Sequence, residues 1–196
     1  EGSFKGPFAS GAPAIYAVAA ARLGFPVQYI GSVGQDAFGR LLRLRLQEEG
    51  VGVTGLQTTA GHATGVAFVA YEQDGSREFV FHLRHSAAGV MTPEQVNPAL
   101  FAGLSWLHLS GSTLVLNEGC QAACWRAVEL AKAAGGRVSF DPNLRPELLG
   151  GLSLARIVEP VLEVCSVLLP SAAEASMLTG LPDQAKLWEH VRATPV

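Results

Sequence analysis

The stretch that decides the fold reads Ser10-Gly-Ala-Pro-Ala-Ile-Tyr-Ala-Val-Ala-Ala-Ala-Arg-Leu-Gly24 and continues, after a short apolar run, with Gly31-Ser-Val-Gly-Gln-Asp-Ala-Phe-Gly39. Small residues open one predicted helix, a strand ends near Gly31, and a Gly-rich turn with an acidic cap opens a second helix. Glycine and alanine leave room for a ligand at the main chain, and helix N-termini offer unpaired N–H donors. The stretch therefore predicts a backbone shaped around a small polar ligand.

The bulk composition excludes several classes of protein. The chain has 196 residues, 48% of them hydrophobic and 16% charged, which is typical of one folded domain with a buried core. A formal net charge of -3 provides no basic stripe, so neither nucleic acid nor an anionic membrane is an expected partner. No leader-like segment or long apolar run is present, and we expect a cytoplasmic location.

The cysteines do not form a metal or redox motif. Cys120, Cys124 and Cys165 include no Cys-x-x-Cys pair. Cys120 and Cys124 lie four residues apart on the apolar face of a predicted helix, where buried thiols are ordinary small hydrophobes. We therefore predict that they belong to the core.

Apolar runs alternate with segments of helical period, which predicts an α/β fold with a parallel sheet covered by helices. Strands are predicted at 27–33, 106–110, 137–141 and 167–170, and helices at 13–23, 38–49, 118–134 and 172–179. Two β-rich runs, 64–71 and 76–82, flank an Asp-Gly turn and predict an antiparallel hairpin. Since a hairpin does not easily join a parallel sheet, we expect it to project as a flap that excludes water from a ligand.

The opening stretch resembles the first signature of the ribokinase-like (PfkB) carbohydrate kinases, which reads Gly-Gly-Ala-Pro-Ala-Asn-Val-Ala and later Gly-x-Val-Gly-x-Asp-x-Phe-Gly. The hairpin together with Ser86-Ala-Ala88 is similar to the lid of that family. Val138-Ser-Phe-Asp-Pro-Asn-Leu-Arg-Pro146 is similar to a block of fructokinases and 2-keto-3-deoxygluconate kinases, and Leu168-Leu-Pro-Ser-Ala-Ala-Glu174 lies where the family carries Asn/Ser-x-x-Glu. Blocks in this order are more specific than a single glycine motif.

The resemblance implies a ribokinase-like parallel-sheet sandwich with a small β-hairpin lid, built from about 1–9 and 64–85. It also implies ATP-dependent phosphorylation of a hydroxyl on a sugar or sugar acid, with ATP and Mg²⁺ as cofactors and a homodimer joined through the lid. The catalytic Gly-x-Gly-Asp of the family is absent, as is its first core strand. We therefore expect residues 1–196 to be a partial, truncated kinase domain that is inactive by itself, with no catalytic residue in this chain.

By the same resemblance, the chain carries two sets of candidate site residues. The substrate-binding candidates are Ser10, Gly11, Ala12, Arg84 and Arg145. The candidates for the phosphate and ATP region are Asn143, Ser171 and Glu174, with Glu174 reaching the metal through water. Two positions depart from the family: Ile15 replaces a hydroxyl-reading Asn, and Leu83 replaces an Arg that Arg84 can stand in for only if the strand bulges.

The residues alone leave several alternatives open. The Asp141-Pro-Asn-Leu-Arg145 segment is also compatible with a plain turn whose Asp and Arg pair with each other. Ser171-x-x-Glu174 has the spacing of a capping box, and Asp36 that of an N-cap. His108, inside a predicted strand, is expected to be a hydrogen-bonded structural residue, while His82 and His85 lie at the foot of the hairpin, where they could touch substrate.

The sequence lacks the motifs of two nucleotide-binding classes, P-loop and nicotinamide-dependent enzymes, and leaves one rival to a kinase open. Gly34 to Gly39 have P-loop spacing, but Arg40-Leu41 follow where a P-loop needs Lys and then Ser or Thr. A nicotinamide-dependent enzyme needs a Gly-x-Gly-x-x-Gly after its first strand, and none is present. The rival to a kinase is a non-catalytic sugar-binding homologue of the same fold.

Overall fold

The structure is a computed structural model that describes residues 3–143 and 154–179. Its helices and strands alternate along most of the chain. They are α1 (Ala12–Arg22), β1 (Gly31–Gly34), α2 (Ala37–Glu48), β2 (Leu56–Thr59), β3 (Val66–Tyr71), β4 (Arg77–His82), three short 3₁₀ helices (Ala87–Val90, Pro93–Gln95, Pro98–Phe101), β5 (Trp106–Ser110), α3 (Gly111–Leu114), α4 (Glu118–Ala133), β6 (Arg137–Asp141), α5 (Leu154–Leu162), β7 (Val167–Leu168) and α6 (Ala172–Thr179).

Two pieces of parallel sheet carry the fold, as the alternation predicts. Strands β5, β6 and β7 lie side by side in that order, with Ser110 opposite Asp141 at the end of the first pair. Strand β1 pairs in parallel with β2, which the sequence analysis missed. β1 also begins four residues later than the predicted 27–33. The residues just before β1 form no regular strand and pair with the segment before β2 through an isolated bridge between Gln28 and Gly52.

The main core lies between the β5–β7 sheet and the helices that cover one face of it. Phe140 on β6 and Val161 on α5 are fully buried there, and Leu109 of β5 joins them. The apolar face of α4 packs against the same cluster through Cys120 and Cys124, which confirms the prediction that these thiols are core residues. Burial raises the pKa of Cys124 to about 12, so the thiol stays protonated at neutral pH.

A second core cluster holds α1 and α2 against β1. Ala14 and Ala17 of α1, Val33 of β1 and Leu46 of α2 are buried together. In the described part of the chain, no helix combines the length and the apolar character needed to cross a membrane.

The predicted hairpin is present as a separate antiparallel sheet of β3 and β4. At its foot, Phe81 and Leu83 pack against the main core, while Phe4 meets Phe68 edge-on with ring centroids 5.5 Å apart. Strand β4 ends at His82, and the chain then turns, with the Ser86 N–H donating to the Leu83 carbonyl at 3.0 Å. Arg84 therefore lies in a turn, and the alternation of a strand no longer decides which way it faces.

Candidate functional site

The carboxyl ends of three neighbouring strands form one edge of the larger sheet. Strand β5 ends at Ser110, β6 ends at Asp141, and Ser171 follows β7. Because the strands are parallel, their carboxyl ends lie on the same side, where open α/β sheets bind ligands. Most of the candidates for the phosphate and ATP region are thus brought to a single edge by the fold.

The turn after β6 presents Asn143 at this edge. The Asn143 backbone N–H donates to Asp141 Oδ1 at 3.0 Å, an Asx-turn, and φ at Asn143 is +37°, in the left-handed region that Asn tolerates. The Asn143 side-chain amide reaches Ser110 Oγ at 3.5 Å, and Ser110 Oγ lies 2.9 Å from Ser112 Oγ. Sequence reasoning missed the two serines, although the strand ending at Ser110 was correctly predicted. Arg145, the alternative partner for Asp141, lies outside the described residues.

Gly111 allows the Asn143 turn to lie close to β5. A β-carbon at Gly111 would stand 2.9 Å from the carbonyl carbon of Pro142 and closer still to the carbonyl oxygen. Real β-carbons essentially never approach backbone atoms this closely, so only glycine fits between the strand end and the turn.

Ser171 and Glu174 form the predicted capping box at the start of α6. One carboxylate oxygen of Glu174 accepts from both the backbone N–H and the hydroxyl of Ser171, each at 2.7 Å. In return, Ser171 Oγ accepts from the Glu174 N–H at 3.3 Å. The cap places a carboxylate beside a helix N-terminus at the same edge as Asn143.

The other candidate segment opens α1. Gly11 has φ of +106° and supplies no side chain to cap the helix, while Ser10 is exposed and Ala12 half-buried. Because Pro13 has no N–H, the first turn of α1 offers the N–H groups of Ala12 and Ala14 as donors of the kind that bind oxygens. Ile15, the departure from the family signature, is 60% exposed.

α1 meets the larger sheet through an aromatic pair. Tyr16 stacks on His108 with ring centroids 3.5 Å apart, and His108 Nδ1 lies 2.9 Å from Ser139 Oγ. Burial lowers the pKa of His108 to about 4, so the ring is neutral at physiological pH. His108 is therefore the hydrogen-bonded structural histidine that the sequence predicts.

Asp36 caps α2 and reaches beyond it. Its Oδ1 accepts from the Gly39 N–H at 2.8 Å, which confirms the predicted N-cap. The same carboxylate also accepts from the backbone N–H and the hydroxyl of Thr64, both at 2.7 Å. These bonds lower the pKa of Asp36, with the bond from the Thr64 backbone N–H contributing most.

Comparison with known proteins identifies the family and the fold. The model of the pfkB family carbohydrate kinases matches residues 8–194. The chain belongs to this family. Fructokinase-1 from Oryza sativa subsp. japonica is 38% identical over 172 residues, which cover 87% of this chain and 53% of the relative. The chain thus spans about half the length of the curated relatives it matches.

Solved structures of pfkB-type kinases share the architecture. The E. coli protein designated ribokinase II, crystallised with ATP and Mg²⁺, superposes with a TM-score of 0.87 at 34% identity, covering 97% of this chain and 60% of that one. Fructokinase from Vibrio cholerae O395, bound to fructose, ADP and calcium ion, superposes with a TM-score of 0.82 at 31% identity, covering 93% of this chain and 59% of that one. These neighbours confirm the predicted ribokinase-like α/β fold.

Glu174 is the described residue at this edge whose chemistry fits a role beside a metal ion. Within residues 3–143 and 154–179, no group of three His, Cys, Asp or Glu side chains is placed to hold a metal ion. Glu174 offers a hard carboxylate oxygen, the type that Mg²⁺ prefers, but an oxygen that also accepts two hydrogen bonds from Ser171 suits an outer-shell role.

Proposed function

We propose that the full-length gene product is an ATP-dependent kinase that phosphorylates a hydroxyl of a sugar or sugar acid, most closely like a fructokinase. The observation that carries the proposal is that Asn143 and the Ser171–Glu174 cap follow the carboxyl ends of neighbouring parallel strands, at the same sheet edge. Phosphoryl transfer needs positioned substrates and stabilised negative charge more than covalent chemistry. An amide and the N-terminus of a helix supply such positioning, and family membership supports the reaction class.

Each candidate residue has a proposed role in this reaction. The Ser10 hydroxyl and the backbone N–H groups of Gly11 and Ala12 would bind sugar oxygens. Arg84 and Arg145 would bind anionic groups of the substrate or the transferred phosphate, because a guanidinium is a planar fork for oxyanions. Asn143 would orient a phosphate oxygen by donating from its amide.

Glu174 and Ser171 would face the nucleotide's metal. When bound, Mg²⁺ would supply positive charge that offsets the negative charge of the phosphates. The Glu174 carboxylate would orient water molecules around that ion, while Ser171 holds the carboxylate in place through two hydrogen bonds. The hydrogen bonds that cap α6 would thus also hold the Glu174 carboxylate in place beside the water molecules of the metal ion.

The proposed substrate is fructose, with 2-keto-3-deoxygluconate as the second candidate. Fructose is supported by the relatives named fructokinase and by the fructose-bound neighbour. The Asp-Pro-Asn-Leu-Arg block supports either sugar. Ile15 and Leu83, which replace polar family residues, favour a substrate that makes fewer hydroxyl contacts at those positions.

A coupled ADP-release assay on the full-length gene product tests the proposal, with fructose and 2-keto-3-deoxygluconate as acceptors and Mg²⁺–ATP as donor. We expect turnover with one acceptor and a loss of kcat/KM of about 100-fold in Asn143→Ala, since misplacing a reacting group by about 1 Å costs that much. Asn97→Ala is the matched control, because Asn97 caps a 3₁₀ helix through the Ala99 N–H.

Ligand binding without turnover would identify the rival, a non-catalytic sugar-binding homologue. A sugar at about 100 times its Kd stabilises the folded state by about 2.7 kcal/mol, which a thermal-shift assay detects. Stabilisation by fructose together with no ADP release would refute the kinase. Because no Gly-x-Gly-Asp occurs in the sequence, we also propose that residues 1–196 expressed alone release no ADP.

We further propose a cytoplasmic homodimer joined through the hairpin. Phe68 and Val80 lie opposite each other on one face of the hairpin and remain 45% and 50% exposed, respectively. A second copy of that face would cover them. Sedimentation of the full-length product tests this, with Val80→Glu expected to yield monomers and Tyr71→Glu, at the hairpin tip, as the control.

A further inference from the structure

Four groups form a compact joint where β1, α2 and the hairpin meet. Asp36 and Thr64 contribute side chains, while Gly34 and Gly39 contribute backbone N–H groups. Thr64 Oγ1 accepts from the Gly34 N–H at 2.9 Å and donates to Asp36 Oδ1 at 2.7 Å. We call this arrangement the Asp36–Thr64 joint.

The joint exceeds what a helix cap requires. A cap needs one acceptor for a first-turn N–H, and the bond from Gly39 to Asp36 satisfies it. The two further bonds to Thr64 do nothing for α2, since Thr64 is 28 residues away in sequence and two residues before the start of β3. Asp36 therefore connects the end of a core strand to the entry of the hairpin.

The surrounding packing leaves the joint little freedom. Thr64 is buried, with 8% of its surface exposed. A β-carbon at Gly34 would lie 2.6 Å from the Thr64 backbone nitrogen and 2.7 Å from Asp36 Oδ2. A β-carbon at Gly39 would lie 2.9 Å from Thr64 Oγ1. The Gly-x-Asp-x-x-Gly spacing thus serves close packing on Thr64 and not the cradling of a phosphate.

We propose that Asp36 is a positioning residue that sets the hairpin over the site by holding Thr64. The exit of the hairpin has an anchor of its own in Leu83, which packs against the core, while the Ala87 N–H ties the exit to the entry by donating to the Ala63 carbonyl at 2.8 Å. Because the exit is anchored, the position of Thr64 at the entry sets the orientation of the two-stranded hairpin relative to the core. This role rests on the proposed kinase function only for its kinetic consequence.

Hydrogen exchange of the full-length product tests the joint directly. Asp36→Asn keeps an acceptor for Gly39 but turns an NH₂ group toward the Thr64 N–H, while Thr64→Val removes the hydroxyl at nearly constant volume. We expect both to raise exchange of the 66–82 amides about tenfold or more and to leave 40–48 of α2 protected, since bonds to a charged group are worth that much.

Two variants serve as controls. Thr64→Ser keeps the hydroxyl and should retain normal hairpin exchange. Thr59→Val removes another threonine hydroxyl bond at the end of the β1–β2 sheet, the 2.6 Å contact with Ser32, in which no hairpin residue takes part. Unchanged hairpin exchange in Thr64→Val, equal loosening of α2 in Asp36→Asn, or equal loosening of the hairpin in Thr59→Val would overturn the proposal.

Steady-state kinetics supply a second readout. Asp36→Asn and Thr64→Val should raise KM for the sugar about tenfold while KM for ATP changes less than about twofold, because we expect the hairpin to cover the acceptor and not the nucleotide. Equal changes in both constants would contradict the assignment. If the wild-type product phosphorylates no sugar, the proposed function fails, and the exchange data still decide the joint.

Discussion

Replacing Gly111 by alanine sets two effects of opposite sign against each other. Gly111 has no positive φ, so the added methyl would restrict the unfolded chain and stabilise the protein by about 0.4–1 kcal/mol if it met open space. Here it meets the Pro142 carbonyl group, with the carbon 2.9 Å away. The contact is with backbone, which cannot rotate aside, so the turn after β6 has to withdraw.

The magnitude follows from that geometry. Overpacking of this kind costs about 1–3 kcal/mol, which exceeds the gain from the unfolded state, so we expect a net loss of about 1–2 kcal/mol. The turn carries Asn143, and a shift of about 1 Å there should lower kcat/KM by about 100-fold in the full-length kinase.

Urea unfolding of the full-length product and the ADP-release assay measure the two effects. Gly119→Ala, in the first turn of α4, is the control. Its methyl would lie 3.0 Å from the carbonyl oxygen of Met91, and a few tenths of an ångström of adjustment relieve that contact. Its stability should stay within about 1 kcal/mol of wild type. A stabilised Gly111→Ala with normal kinetics would refute the argument that the turn needs glycine beneath it.

The remaining predictions concern the core, the cap and the buried histidine. Phe140→Ala should lower the free energy of unfolding by about 3–5 kcal/mol because it empties the main core, whereas Phe68→Ala on the exposed hairpin should cost far less in the same urea titration. Glu174→Gln keeps an oxygen that can accept the cap hydrogen bonds but removes the charge, so turnover should fall and the Mg²⁺ requirement should rise. Ser171→Ala, which keeps the charge, is the variant for comparison. Kinetics unaffected by Glu174→Gln would reject the metal role. Burial gives His108 a pKa of about 4 in the folded protein, against an ordinary value of 6.5. As the pH falls, the unfolded chain therefore takes up the proton before the folded chain does. The stability that is present above pH 6.5 should thus be lost progressively toward pH 4. His108→Gln should flatten that slope, and an identical slope would contradict the assignment.

Local patterns were sufficient for much of the fold. Strands β5 and β6 were predicted with their observed ends, and α4 to within one residue, because apolar period and flanking turn residues act within a few positions. Strand β2 was missed because Leu56–Thr59 is short and alternates only weakly. Its partner β1 supplies the hydrogen bonds that define it.

The sequence by itself determined most of the strands, four of the helices, the two buried thiols of α4, two helix caps and the family. The tertiary structure decided which partners those residues meet. Asp36 is recognisable as a cap from its neighbours, but its bonds to Thr64 depend on how the chain folds back over a separation of 28 residues. The Ser110–Asn143 contact and the Tyr16–His108 stack likewise depend on strand register and helix placement, which no local pattern encodes. Short-range propensities thus set the elements, while long-range packing set the site.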